Sequence, residues 1–307
     1  MVKTSQFQPR LFQAGLAAFF LFVLSACQPG ISATTEATAF VPPTAAIVEI
    51  PTETPAITPT LVPSATPTPI SPSRMEAGQT EADWLPYPLN YQVYLPAGYQ
   101  PDPLDCYPLL ILLHGQGYDE TQWTDLGIQG VTDAQIQKTG KPFLIAMPRE
   151  VYHLQEMNDS LYNRAVGELL TSHLLENYPI CADRSQHAVG GISRGAAWAV
   201  HVAFEYPQTF SAIGAHSLPP HRNDIYKMQY WVKEIHKGQE MAIYMDIGAY
   251  DRYVEPAKIF QNALVKYHLL HEFHLNDGMH EDVYWQKHLP EYIAWYAAHW
   301  QEKISSD

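Results

Sequence analysis

One pentapeptide in the sequence has the spacing of a nucleophilic serine. Residues 191–195 read Gly-Ile-Ser-Arg-Gly and lie between a strand-like run at 187–190 and a helix-like run at 196–200. A serine hydroxyl becomes nucleophilic when a tight turn holds it beside a base, and the flanking glycines remove side chains that would collide there. The first N–H groups of the helix would face charge that forms near the serine. The pattern therefore predicts that Ser193 attacks a carbonyl carbon.

The base is predicted at His280, in a Gly-containing turn that follows the strand-like residues 272–275. The sequence holds 14 histidines, and an alternative reading groups three of them, His268, His271 and His274, as zinc ligands. A spacing of three does not place side chains on one face of a strand, and no His-Glu-x-x-His motif occurs. We therefore expect no metal and no cofactor.

A carboxylate must orient the histidine, and two aspartates lie in the segment 245–251 that ends the preceding strand. Asp251 follows the Gly-containing turn, whereas Asp246 falls within the predicted strand. Asp251 is favoured, and Asp246 and Glu255 remain alternatives. The chain order serine, aspartate, histidine is that of α/β-hydrolases rather than of the chymotrypsin or subtilisin arrangements.

Residues 114–117, His-Gly-Gln-Gly, come directly after an apolar strand and predict part of an oxyanion hole. Acyl transfer needs two N–H donors aimed at the developing oxyanion. The backbone N–H groups of Gln116 and Arg194 are the predicted pair. Three aromatic residues near the same strand ends either line a substrate pocket or pack in the core: Tyr118, Trp123 and Trp285.

The elements that position these residues alternate between strands and helices, which predicts an α/β domain from residue 75 to 307 with a doubly wound, mostly parallel sheet. Strands are expected at 91–95, 109–113, 143–147, 186–192, 210–216, 241–247 and 272–275. Helices are expected at 160–177, 194–205, 223–237, 256–269 and 284–300.

The first 74 residues have a different composition. Lys3 and Arg10 precede an apolar run that ends in Leu-Ser-Ala-Cys at Cys27, which predicts a lipoprotein signal peptide over residues 1–26 and lipidation of Cys27. An ordinary signal peptide is the alternative. Residues 27–74 are rich in threonine and proline and predict a disordered linker. The predicted location is the outer face of a bacterial cell membrane, with membrane contact through the lipid anchor alone.

A formal net charge of −14, without a long Lys/Arg run, argues against nucleic acid as a partner, because phosphate binding requires clustered cations. The expected partner is a small or polysaccharide-linked substrate, and the sequence does not specify an oligomeric state.

From residue 90 to 300 the chain resembles the putative-esterase family of α/β-hydrolases, which includes feruloyl and acetylxylan esterases. Apart from the triad motifs, the similarity includes residues 93–99 (Val-Tyr-Leu-Pro-Ala-Gly-Tyr) and 207–210 (Pro-Gln-Thr-Phe). Arg194 departs from the methionine common in the family, and Ala196 from a common glycine. The resemblance implies a serine carboxylic-ester hydrolase that forms an acyl-enzyme, with feruloyl or acetyl esters of polysaccharides as substrates. The alternatives are an acyltransferase with the same triad and a non-catalytic surface lipoprotein that binds carbohydrate or a partner.

In that fold Cys106 and Cys181 precede neighbouring strands at the ends opposite Ser193. With Cys27 lipidated, they leave an even pair in an oxidising compartment, which predicts a disulfide. Two buried free thiols are the alternative.

Overall fold

The structure, a computed structural model, describes residues 70–235 and 238–302. Within them, eight strands form one sheet in the order β1-β2-β4-β3-β5-β6-β7-β8. The strands are β1 Arg74–Thr80, β2 Leu89–Leu95, β3 Leu109–Leu113, β4 Leu144–Pro148, β5 His187–Ile192, β6 Ala212–His216, β7 Ala242–Gly248 and β8 His271–Asn276. β2 pairs antiparallel with both β1 and β4. The six strands β3 to β8 are parallel to one another. This confirms the predicted α/β-hydrolase fold.

Helices cover both faces of the sheet. They are α1 Gln122–Asp125, α2 Ile128–Thr139, α3 Tyr162–Arg164, α4 Thr171–Asn177, α5 Arg194–Glu205, α6 Asp224–Glu234, α7 Val254–Lys266 and α8 Asp282–Glu302. A π-helical segment, Ala165–Leu170, joins α3 to α4.

The apolar run of β3 shows why its strand pattern does not alternate between polar and apolar residues. Leu109, Ile111 and Leu113 pack into one core cluster with α4 and α5, while Leu110 and Leu112 pack into a second cluster with α8. Successive side chains of a strand point to opposite faces, so a strand covered on both sides is apolar throughout.

Besides the short α1, two longer elements, β1 and α2, were not predicted from the sequence. β1, Arg-Met-Glu-Ala-Gly-Gln-Thr, is an edge strand with several partly exposed positions, and its few apolar residues give little pattern. α2 is mostly polar and contains Gly130 and the β-branched Val131 and Thr132, which weaken a helix signal. Both elements are defined by what they pack against rather than by local propensity.

Most of the N-terminal predictions, including residues 1–26 and Cys27, lie outside the described residues. The described part of the predicted linker is 70–74, and its last residue, Arg74, already belongs to β1. No helix in the described ranges is long and apolar enough to cross a bilayer.

Cys106 and Cys181 form a disulfide, with their Cα atoms 4.8 Å apart. The two cysteines precede β3 and β5, which are adjacent parallel strands, and a bridge pairs Tyr107 with Ile180 between them. The disulfide therefore lies at the amino ends of the central strands.

Candidate active site

Ser193 lies on the sharp turn between β5 and α5. Its backbone has φ 53° and ψ −120°, a conformation that side-chain-bearing residues rarely adopt and that strains the chain at functional turns. The Ser193 N–H donates to the His216 carbonyl oxygen over 2.9 Å, which ties the turn to the end of β6. A Cβ at Gly191 would collide with the Gly195 backbone, and one at Gly195 would collide with the Leu113 carbonyl. The two glycines are therefore required by the tight approach of α5 to β3 and β5.

The three predicted triad residues meet in one hydrogen-bonded chain. The Ser193 hydroxyl lies 2.8 Å from His280 Nε2, and His280 Nδ1 lies 2.7 Å from Asp251 Oδ2. Asp251 is 2% exposed, and its other oxygen accepts the Tyr253 N–H over 2.8 Å. A nucleophile, a base and an orienting carboxylate at these distances can transfer the serine proton to the ring and stabilise the imidazolium that forms.

Two aromatic rings hold the His280 imidazole. The rings of Tyr253 and Trp285 each contact it edge-on, with centroids 5.1 Å away. Trp285 is itself fixed, because its indole N–H donates to Ser217 Oγ over 2.9 Å. The base is therefore positioned by packing as well as by Asp251.

The alternative acids are engaged elsewhere. Asp246, buried within β7, lies 2.7 Å from His216 Nδ1 and accepts hydrogen bonds from the hydroxyls of Tyr284 and Tyr292 over 2.7 and 2.6 Å. Glu255 is exposed on α7 and pairs with Lys258. Of the three candidate carboxylates, Asp251 is the one that contacts His280.

The Asp246 network lies directly behind the nucleophile, and the sequence analysis left its member His216 without a role. Burial, followed by the nearby Asp246 charge, raises the pKa of Tyr284 and of Tyr292 above the ordinary value. These phenols remain protonated donors to Asp246. The network thus joins β6, β7 and α8 beneath the serine turn.

The two predicted oxyanion donors flank the serine turn. Gly115 N–H donates to Gln122 Oε1 over 2.7 Å, so that amide is occupied. Neither the Gln116 N–H nor the Arg194 N–H makes a hydrogen bond within the described ranges. Both amides can therefore donate to a substrate oxygen. Gln122 was missed by the sequence analysis, because nothing in its local pattern indicates a buried contact to residue 115.

The predicted aromatic pocket needs correction. Trp123 and Trp285 are 1% and 3% exposed and pack in the core, so neither lines an open cleft. Tyr118 is 44% exposed, and its hydroxyl donates to Asp282 over 3.0 Å at the edge of the site. Position near a strand end did not determine where these rings point.

A cavity of about 770 Å³ lies next to the predicted oxyanion donors Gln116 and Arg194, and the triad residues are not part of its lining. Two loops form most of its wall, residues 153–159 after β4 and residues 219–223 after β6, and Gln116, Arg194 and Tyr253 complete it. The lining is largely polar, which suits a hydrophilic substrate portion. A second cavity, of about 850 Å³, lies at the opposite strand ends near the disulfide.

Two of the three histidines considered as zinc ligands make other side-chain contacts. His271 Nδ1 lies 2.8 Å from the Leu269 carbonyl oxygen, and His274 stacks on Tyr244. In the part of the chain that the structure describes, no three His, Cys, Asp or Glu side chains are grouped to hold a metal ion.

The family model described as Putative esterase matches residues 84–296, more than two thirds of the chain and all three triad residues. The chain belongs to the Putative esterase family. It is accordingly a carboxylic ester hydrolase with the α/β-hydrolase fold.

Solved esterase structures share the fold of this putative esterase at low sequence identity. A ferulic acid esterase is 19% identical with a TM-score of 0.64, and the match covers 74% of this chain and 98% of that one. S-formylglutathione hydrolase from Staphylococcus aureus is 16% identical with a TM-score of 0.63, covering 74% and 99%. A ferulic acid esterase from Anaeromyces mucronatus in complex with ferulic acid is 17% identical with a TM-score of 0.58, covering 76% and 91%.

Proposed function

We propose that this putative esterase cleaves carboxylic esters through an acyl-enzyme on Ser193. His280 takes the hydroxyl proton as Ser193 Oγ bonds to the ester carbonyl carbon, and the carbonyl oxygen becomes an oxyanion between the Gln116 and Arg194 N–H groups. Collapse of this intermediate breaks the bond to the alcohol oxygen, which leaves with the proton from His280.

Water completes the cycle. His280 removes a proton from a water molecule, whose oxygen attacks the acyl carbon, and the second tetrahedral intermediate releases the acid as Ser193 Oγ regains its proton. Asp251 holds the Nδ1–H tautomer and stabilises the imidazolium in both halves. The observation that carries the proposal is the unbroken hydrogen-bond chain from Ser193 through His280 to Asp251.

For the substrate we propose feruloyl or acetyl esters of polysaccharides. The polar cavity lined by Gln116 and Arg194 supports a hydroxyl-rich substrate portion, and ferulic acid esterases share the fold. The test compares feruloyl, acetyl-xylan and short p-nitrophenyl esters, with Ser193→Ala as the blank. Hydrolysis confined to p-nitrophenyl esters would reject the polysaccharide assignment, and acyl products that form only with an added acceptor alcohol would identify a transferase.

The proposed location is the outer membrane face, with the chain held there by a lipidated Cys27. The lipobox-like sequence and the Thr/Pro-rich segment support this location. Arg74 pairs with Leu95, the last residue of β2. Tyr91, nearer the start of β2, pairs with Pro148, the last residue of β4. Arg74, the first residue of β1, thus lies at the strand ends opposite Ser193. Globomycin treatment of expressing bacteria should block processing at Cys27, and unaltered processing would reject the lipoprotein assignment.

A further inference from the structure

The Arg194 side chain forms a forked ion pair with a carboxylate from another strand end. Arg194 Nε donates to Glu150 Oε2 over 2.8 Å and Nη2 donates to Oε1 over 2.6 Å. Glu150 is 3% exposed and the Arg194 side chain 14% exposed. Arg194 Nη2 also donates to the Gln155 carbonyl oxygen over 2.7 Å. A two-bond fork shielded from water fixes the orientation of both side chains.

The backbone of Glu150 reaches the other half of the site. Its N–H donates to His114 Nε2 over 2.8 Å. Since a backbone N–H can only donate, Nε2 is the acceptor, and the proton of the neutral ring is on Nδ1. That Nδ1–H donates to the Gly115 carbonyl oxygen over 2.9 Å. Burial lowers the pKa of His114, which favours the neutral ring.

These contacts form one path between the two oxyanion donors. It runs from Gln116 through Gly115 and the His114 ring to Glu150, and from the Glu150 carboxylate to Arg194. The donor at position 194 is a backbone N–H that any residue except proline supplies. The Arg194 side chain is therefore not needed to provide the donor.

We propose that Glu150 and Arg194 are positioning residues, which set the placement of the Arg194 N–H relative to the Gln116 N–H for binding the oxyanion. The inference rests on the proposed function. It gives the Arg194 side chain a role, because the fork needs its guanidinium. The expected consequence is loss of transition-state binding without loss of substrate binding.

The experiment measures kcat and KM on p-nitrophenyl acetate, together with inhibition by a trifluoromethyl ketone that forms a tetrahedral oxyanion adduct with serine. Arg194→Met should lower kcat about 10- to 100-fold with KM within about threefold, because one oxyanion donor is worth about 10² to 10³ in kcat. The ketone should bind more weakly by a similar factor. Glu150→Gln, which keeps the shape of the side chain, should show a smaller loss.

The double variant Arg194→Met/Glu150→Met separates positioning from charge burial. Each single variant leaves one buried charge unpaired, whereas the double variant leaves none. In urea unfolding the double variant should therefore be more stable than at least one of the single variants, Arg194→Met and Glu150→Met, while its kcat stays low. Arg164→Met, which breaks the exposed pair with Glu168, is the matched control and should keep kcat within about twofold.

Recovery of kcat in the double variant to within about threefold of the parent protein would show that the pair is only an ion pair. Unchanged ketone affinity alongside a reduced kcat would also overturn the proposal. A parent protein that cleaves no ester would instead reject the proposed function, so the two failures can be told apart.

Discussion

At the scale of single residues, chemistry depends on which carboxylate contacts His280. Both Asp251 oxygens are occupied, one by the His280 ring and the other by the Tyr253 N–H. The Asp246 carboxylate is instead surrounded by His216 and two tyrosine hydroxyls. The two aspartates lie five residues apart, yet removing the charge of each should affect a different property of the protein, turnover for Asp251 and stability for Asp246.

Asp251→Asn should lower ester turnover by up to about 10⁴, because an amide holds the wrong His280 tautomer, while the urea midpoint changes little. Asp246→Asn should mainly reduce stability, since its buried network loses a charged acceptor. The control Glu255→Gln should leave turnover unchanged. Paired kinetics and urea unfolding check the assignment, and a larger turnover loss in Asp246→Asn would refute it.

His114 gives a pH-dependent stability of known sign. Burial lowers its pKa from the ordinary 6.5, so the folded state keeps the ring neutral where the unfolded chain already binds a proton. The stability that the neutral ring contributes is fully present above the pKa of His114 in the unfolded chain, and it is lost as the pH falls below 6.5. In urea unfolding between about pH 7.5 and about pH 5.5, His114→Gln should be less stable than the parent at the upper pH but show a flatter decline. An equal decline in both proteins would contradict this.

At the scale of elements, the serine turn requires close contact between α5 and the strands beneath it. Gly195→Ala should destabilise the fold by about 2 to 3 kcal/mol, because the added Cβ meets the Leu113 carbonyl, which cannot easily move. Gly130, in α2, faces open space, so Gly130→Ala should stabilise by about 0.5 to 1 kcal/mol. Urea unfolding of the matched pair checks both signs, and two similar values would contradict the packing argument.

The elements also explain how much the sequence could predict. Ser193, Asp251 and His280 follow the ends of β5, β7 and β8 within four residues. The carboxyl ends of parallel strands meet at one edge of the sheet, so strand prediction located the triad. The roles of Glu150 and Gln122 could not be predicted from the sequence, because their contacts depend on how separate loops pack. For the same reason the sequence left pocket lining and core packing open for Trp285, since only the packed structure shows its ring turned toward Ser217 and His280.

At the scale of the whole molecule, the disulfide and the catalytic triad lie at opposite ends of the parallel strands. The Cys106–Cys181 bridge closes a loop of 75 residues at the end away from Ser193. In the chain-entropy model such a loop contributes about 4 kcal/mol. The double variant Cys106→Ala/Cys181→Ala should lose stability of that order in urea unfolding and keep its kcat. Free thiols at both positions, found by non-reducing peptide mapping of folded, active exported protein, would exclude the bridge.

Catalysis by the triad requires that Ser193 becomes acylated during turnover. The most direct measurement is acid quenching of the enzyme during hydrolysis of p-nitrophenyl acetate, followed by mass spectrometry of its peptides. We expect one acetyl group on the peptide that contains Ser193, its accumulation before steady state, and its absence in Ser193→Ala. Acetyl on another residue that forms and decays at the turnover rate, with Ser193 unmodified, would contradict it.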